Sequence, residues 1–292
     1  MDAMMLRYVI CLVGCAAATY YDLFNRRNVP AHITYGLVAL GILFTLASFN
    51  ASVIAQSFAI AIAIFAVGYL LYRAGQIGGA DVLVFVSIAL LLPEGPQPLL
   101  TSVKLPFNYP FVLSIFLLSG VLGMFGIFLK YVPRTLYDAM KGEDIKLNTW
   151  QVLQSILLLF VYAIFLCYIN ALTPLPQLLL FIFVGVVICA TILFSLKNHI
   201  SDRYLIQMVG VKEIDEEDIL AIEKMDPEVV RKYGLDKLLT VEQIGKLKRM
   251  GKGKKFPVYT NMPVFMPYVL ISLVAALLFG DPLAYLYPLG VM

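Results

Sequence analysis

The sequence predicts an all-α integral membrane protein, a polytopic bundle of about eight transmembrane helices with a small cytosolic insert. Three observations predict it. Of the 292 residues, 61% are hydrophobic and only 14% charged, with mean hydropathy +0.85, against about 45–50% and about 25% in an average soluble domain. Apolar stretches of about 20 residues, enough to cross a hydrocarbon core, recur along the chain. The charges are gathered into a few polar loops.

In chain order the spacing predicts helices over 4–24, 31–49, 53–73, 79–93, 109–131, 151–171, 176–196 and 263–280. The first carries a single early basic residue, Arg7, and its other basic residues follow the apolar run. That polarity is the reverse of a signal peptide, so the segment reads as a mature helix. The second and third are joined by the short connection 49–52, as antiparallel neighbours are. Arg73 closes the third. The fourth, opened by Gly78-Gly79-Ala80-Asp81, is the shortest of the first four. A polar loop follows the fifth, and the connection 173–177 makes a hairpin of the sixth and seventh. The eighth opens with Pro263 and Pro267. There is no internal repeat, and no inverted pair of broken helices of the kind that marks many transporters.

Basic residues give the orientation. All 22 except Arg7 and Lys104 fall in loops on one side of these eight spans. The positive-inside rule makes that side cytosolic and puts both termini outside, in the cell membrane. The chain divides into a membrane core over 1–135, a cytosolic loop and additional hairpin over 136–196, a soluble insert over 197–262 and a C-terminal helix over 263–292. The insert holds an acidic cluster, Glu213, Asp215, Glu216, Glu217 and Asp218, and a basic tail over 246–255. Apolar residues at Ile214, Ile219, Leu220, Ile222, Met225, Val229 and Val230 predict one or two short amphipathic helices. The remainder reads as a solvated face with a flexible linker, or as a basic tail resting on anionic headgroups.

Cys11, Cys15, Cys167 and Cys189 lie within apolar runs without paired spacing, and His32 and His199 are the only histidines. Neither a metal site nor a disulfide framework is expected, and no cofactor.

Two acids stand apart from the other seventeen of the nineteen. Asp22 ends the first apolar run and Asp81 begins the fourth, both on the cytosolic side. The first helix needs about 31 Å to reach Phe24, so Asp22 lies within a turn of the surface. The fourth, at about 22 Å, is shorter than the hydrocarbon core, which sinks Asp81 several ångströms below that surface. A carboxylate at membrane depth costs several kcal/mol unless paired, protonated or wetted, so it marks a functional site. The glycines before Asp81 let a peptide backbone approach closely. Two carboxylates a few ångströms apart supply a base for water and an acid for the scissile carbonyl, because repulsion and desolvation leave one proton on the pair. Each also has a structural reading. Asp22 stands four residues before Arg26, as in a helix-end ion pair, and Asp81 is placed to cap the fourth helix.

The string Tyr21-Asp22-Leu23-Phe24-Asn25-Arg26-Arg27-Asn28-Val29-Pro30 resembles the Asp-bearing end of the first helix of prepilin peptidases. Gly78-Gly79-Ala80-Asp81 resembles the GxGD motif of intramembrane aspartyl proteases, with Ala80 at the second glycine position. The nearest likeness is to the archaeal preflagellin and type IV prepilin peptidases. It extends to Asn261-Met262-Pro263-Val264-Phe265-Met266-Pro267-Tyr268 and Phe279-Gly280-Asp281, and covers 1–135 and 256–292. Presenilin-like proteases carry their aspartates on adjacent helices, whereas two helices separate these. The resemblance implies an aspartic endopeptidase, with Asp22 and Asp81 catalytic, that removes a short basic leader from archaellin or pilin precursors at the cytosolic face. The hairpin 151–196 exceeds the six helices of the archaeal enzymes. The bacterial four-cysteine zinc domain is absent, as is a glycine loop for S-adenosylmethionine, so no methyltransferase activity is expected.

Pro263 and Pro267 would shape a substrate-binding turn beside the dyad, or simply start a helix. The acidic cluster 213–218, with Glu213, Asp215 and Glu216 foremost, is a candidate to meet the leader's basic residues. The expected partners are such precursors and membrane lipids, with no nucleic acid. The alternatives are a proton-coupled transporter using the aspartates as a relay and a catalytically silent scaffold.

Overall fold

The computed structural model describes residues 3–25, 29–93, 95, 109–172, 174–251 and 254–281. Among them are eight apolar helices: α1 (Ala3–Phe24), α2 (Ala31–Leu46), α3 (Ala51–Arg73), α4 (Gly79–Leu91), α5 (Phe111–Met140), α6 (Thr149–Leu172), α7 (Gln177–Ile200) and α10 (Met266–Phe279). Between α7 and α10 lie strands β1 (Ile206–Gly210) and β2 (Lys255–Tyr259) and the short helices α8 (Pro227–Tyr233) and α9 (Val241–Arg249). Five of the apolar helices are long enough to cross a membrane, and α2, α4 and α10 are shorter. The chain is a multi-pass membrane protein.

The shortest apolar helix is the most enclosed. In α4, Val82 and every residue from Val84 to Leu91 are buried, as expected of a helix that is apolar on all sides. It packs against α1, α2, α3 and α5, while α10 lies between α1 and α5. At the end of the bundle remote from Asp81, polar side chains satisfy helix termini. The Arg7 guanidinium donates to the Phe44 carbonyl at the end of α2, and Thr45 Oγ1 donates to the Leu90 carbonyl at 2.8 Å. Nine residues separate Leu90 from Asp81, a rise of about 14 Å. Counted from the Leu90 level, α4 therefore stops well short of crossing a core of about 30 Å.

The α6–α7 hairpin attaches to this bundle through α7 against α5. Most of the outer surface of α6 is exposed apolar side chains, among them Trp150, Leu157, Phe160, Phe165 and Tyr168, as suits lipid contact. Two helices outrun the predicted spans. α5 continues past 131 to Met140 with Pro133 inside it, and α7 continues to Ile200 and into a π-helical turn, Ser201–Leu205. An interior proline removes a hydrogen bond and crowds the preceding turn, yet α5 runs on through Pro133. The far end of α5 is held by the turn after α7: Tyr204 donates to Asp138 at 2.7 Å, Arg203 pairs with Glu143 at 2.7 Å, and the Tyr131 and Tyr204 rings stack.

The insert differs from a flexible linker. β1 and β2 form an antiparallel ribbon with Ile206 opposite Tyr259 and Gly210 opposite Lys255. Ile214, Leu220, Leu235, Leu239, Leu247, Phe256 and Val258 bury a core of their own beneath it. Asp226 caps α8 and Thr240 caps α9, the oxygen-bearing side chains preferred at such positions. Lys255 sits at the end of the ribbon remote from the membrane helices, which the ribbon joins at Ile206 and Tyr259.

Candidate active site

Asp22 lies in the last turn of α1 and is 8% exposed. One carboxylate oxygen, Oδ2, accepts the backbone N–H groups of Phe265 and Met266, each at 3.1 Å. Those donors open α10, where the first N–H groups of a helix lack internal partners and the macrodipole favours negative charge. One turn earlier in α1, Thr19 Oγ1 donates to the Met266 carbonyl at 3.1 Å. The end of α1 and the start of α10 are thus joined by three hydrogen bonds around one carboxylate. The expected partner Arg26 lies outside the described residues.

α10 reaches Asp22 because α5 is thin where they meet. A Cβ on Gly126 would collide with the Tyr268 hydroxyl, and one on Gly123 would lie 3.6 Å from the Phe265 ring. Phe265 also meets Phe85 of α4, ring centroids 6.1 Å apart. Pro263 and Pro267 flank the Phe265–Met266 donor pair, and Pro267 occupies the first turn of α10, where a missing N–H costs nothing.

Asp81 is the third residue of α4 and half-buried. Its Oδ2 accepts the Gly78 N–H at 3.1 Å, so the capping role expected of it is filled by the same side chain. Asp22 is an electrostatic neighbour of Asp81. The turn before Asp81 takes ordinary negative φ angles, with Gly78 at φ −74°. Its glycines are there for space: a Cβ on Gly79 would lie 3.2 Å from the Tyr72 ring. Ala80 is already helical and packs on the membrane core, which accounts for a residue other than glycine at that position. Tyr21 packs on the same core, its ring edge-on to Tyr20 at 5.6 Å.

In the insert, Glu213, Asp215 and Glu216 are exposed while Ile214 between them is buried. Asp218 is half-buried, and burial raises its carboxyl above the ordinary range; its Oδ2 accepts the Asp215 N–H at 2.8 Å. Glu217 reaches the membrane core, where its Oε1 accepts the Tyr72 hydroxyl at 3.1 Å. The acidic segment therefore stands beside the turn that carries Asp81. Among the described residues no three His, Cys, Asp or Glu side chains converge as metal ligands.

Glu217 was legible only as a member of the acidic cluster 213–218; Thr19, Phe265, Met266 and Tyr72 were not legible as site residues in the sequence. Of the latter, only Thr19 left a signal, three residues before Asp22 on one helical face. The Phe265 and Met266 donors belong to the backbone, which any residue supplies.

Residues 9–128 match the sequence model of the type IV leader peptidase family, a segment that contains both aspartates. The chain is 27% identical over 146 residues to a prepilin peptidase of Methanothermobacter thermautotrophicus, across 47% of this chain and 37% of that one. It is 26% identical over 133 residues to a preflagellin peptidase of Methanococcus maripaludis, across 44% and 56%. The chain thus spans less than two thirds of either relative's length. No solved structure matches it.

Proposed function

We propose, with the membrane core over residues 9–128 a member of the type IV leader peptidase family, that this protein is a membrane aspartyl endopeptidase. Its substrates are archaellin or type IV pilin-like precursors, from which it removes a short basic leader at the cytosolic face. What supports the reading is that Asp22 stands at the end of α1 and Asp81 at the start of α4, helices that pack on each other and make the two carboxyls electrostatic neighbours. Asp22 accepts two backbone N–H groups and Asp81 one.

The precursor's apolar helix docks laterally against the bundle, which sets its leader junction at the mouth of the site. A water between the carboxylates loses a proton to the ionised member and attacks the scissile carbonyl. The protonated member gives its proton to the carbonyl oxygen. The resulting diol collapses with cleavage of the C–N bond. The carboxyl that took the water proton gives it to the leaving nitrogen, the other carboxylate takes a proton from a diol hydroxyl as the new carbonyl forms, and the pair ends singly protonated. Because the two carboxyls titrate as a unit, separate acid and base roles are not assigned. The hydrogen bonds from Phe265, Met266 and Gly78 fix both side chains before substrate arrives, as effective positioning requires. In this reading the exposed acids Glu213, Asp215 and Glu216 attract the leader's basic residues, and Pro263 and Pro267 shape a substrate-binding turn beside the dyad.

Cleavage of a precursor in membranes tests this reading. Either Asp22→Asn or Asp81→Asn leaves the precursor intact at normal expression, and EDTA has no effect. Substantial processing by either variant sinks the aspartyl mechanism. Exchanging Glu213, Asp215 and Glu216 for Ser or Asn raises KM; unchanged kinetics removes them from leader binding. Proton-coupled transport finds no support in the comparisons, which name peptidases.

A further inference from the structure

The soluble insert touches the membrane core within one residue of the GxGD-like turn. Tyr72, in the last turn of α3, donates its hydroxyl to Glu217 Oε1 at 3.1 Å. The other side of its ring covers Gly79, where an added Cβ would lie 3.2 Å from Cε2. Two residues beyond Glu217, Ile219 packs on Gly75, where an added Cβ would lie 3.5 Å from its Cδ1. The insert thus grips the α3 end of the α3–α4 connection, at Tyr72 and at Gly75.

Glu217 is not loosely placed. Its φ is +73°, a left-handed conformation uncommon outside glycine. Its N–H is held by the Leu239 carbonyl at 2.9 Å, and the Asp218 carbonyl accepts the Leu239 N–H at 2.9 Å. Leu239 is fully buried in the insert's core. A disfavoured backbone conformation persists only where its surroundings determine it, and here it aims the Glu217 side chain out of the insert at Tyr72. The path from the insert's core to the Asp81 turn is therefore continuous: Leu239, Glu217, Tyr72, Gly79.

We propose that Tyr72 is a positioning residue for the reaction, coupling the soluble insert through Glu217 to the turn that sets Asp81. This inference rests on the peptidase reading and adds to it a task for the insert. Tyr72 touches neither carboxylate and acts by fixing the Gly78–Gly79 backbone, from which Asp81 takes its hydrogen bond. Glu217, though exposed like its neighbours, is then engaged with Tyr72 and set apart from the acids assigned to the leader.

The test is a double-mutant cycle on the full chain in liposomes, reading kcat and KM for precursor cleavage. Tyr72→Phe keeps the ring over Gly79 and loses the hydroxyl, and Glu217→Ala loses the acceptor. Each lowers kcat about threefold to tenfold, the range of one net hydrogen bond, and leaves KM unchanged. The double variant is no slower than either single one, and Glu217→Gln, whose amide oxygen still accepts, recovers most of the loss seen in Glu217→Ala. Multiplicative losses, or kcat indifferent to Tyr72→Phe, overturn the coupling. A rise in KM at constant kcat assigns Glu217 to the leader and overturns it too. Asp22→Asn in the same preparation separates the two readings: cleavage that survives it removes the peptidase itself, whereas cleavage that depends on Asp22 but ignores Tyr72 removes only the coupling.

Discussion

Thr19 and Asp22 hold opposite sides of one peptide turn, the carbonyl of Met266 and the N–H groups of Phe265 and Met266. Removing Thr19's hydroxyl loosens the clamp without touching the carboxylate. Thr19→Val should lower kcat about twofold to tenfold, as loss of one hydrogen bond does, and Thr19→Ser should restore it; equal rates in all three chains would show that the clamp plays no part in positioning. At this scale the sequence was half legible. Asp22 and Asp81 stood out because every other acid lay in a loop or near a terminus. The donors that hold Asp22 did not, since a backbone N–H carries no residue identity. The contact of Tyr72 with Glu217 was hidden for another reason: 145 positions separate the two, and Glu217 reads there only as one acid of a cluster.

The apolar helices were legible by period and length, and their ends were the errors. α5 and α7 run on past the membrane because their extensions pack on each other through Tyr131, Asp138 and Tyr204, contacts that hydropathy does not register. The insert misled more deeply: its apolar residues are scattered among charges and come together only once the ribbon and two caps form. A packed insert should resist trypsin over 206–249 in the folded chain despite its many lysines and arginines. Rapid cutting throughout that stretch would restore the flexible-linker reading. Asp218 gives it a pH dependence. Burial raises the carboxyl in the folded insert, so its favourable contribution is complete below the ordinary carboxylate range of about 4 and is lost as pH rises through the raised value. The urea midpoint of the insert, followed by pulse proteolysis of the full chain, should therefore fall less between acid and neutral pH in Asp218→Asn than in the parent. An identical fall in both would remove Asp218 as the cause.

In the whole molecule, one aspartate stands on a long helix, α1, and the other on a short one, α4, while the short α10 closes on Asp22. α4 is enclosed on all sides, α10 enters between α1 and α5, and the insert presses on the α3–α4 connection from outside the bundle. Two carboxylates are thereby held by backbone groups of elements far apart in sequence, as the proposed dyad requires. The number of helices and their order were legible in the hydropathy pattern; their packing was not. The part played by α10 and the insert did not follow from order, because it depends on where α10 begins and how the insert folds back. The most direct measurement is the cleavage rate of a purified precursor in liposomes by Asp22→Asn, Asp81→Asn and the double variant. If the pair works as one unit, each single change costs roughly a thousandfold or more and the double change costs no more than either. Losses that multiply, or one aspartate that is dispensable, would contradict it.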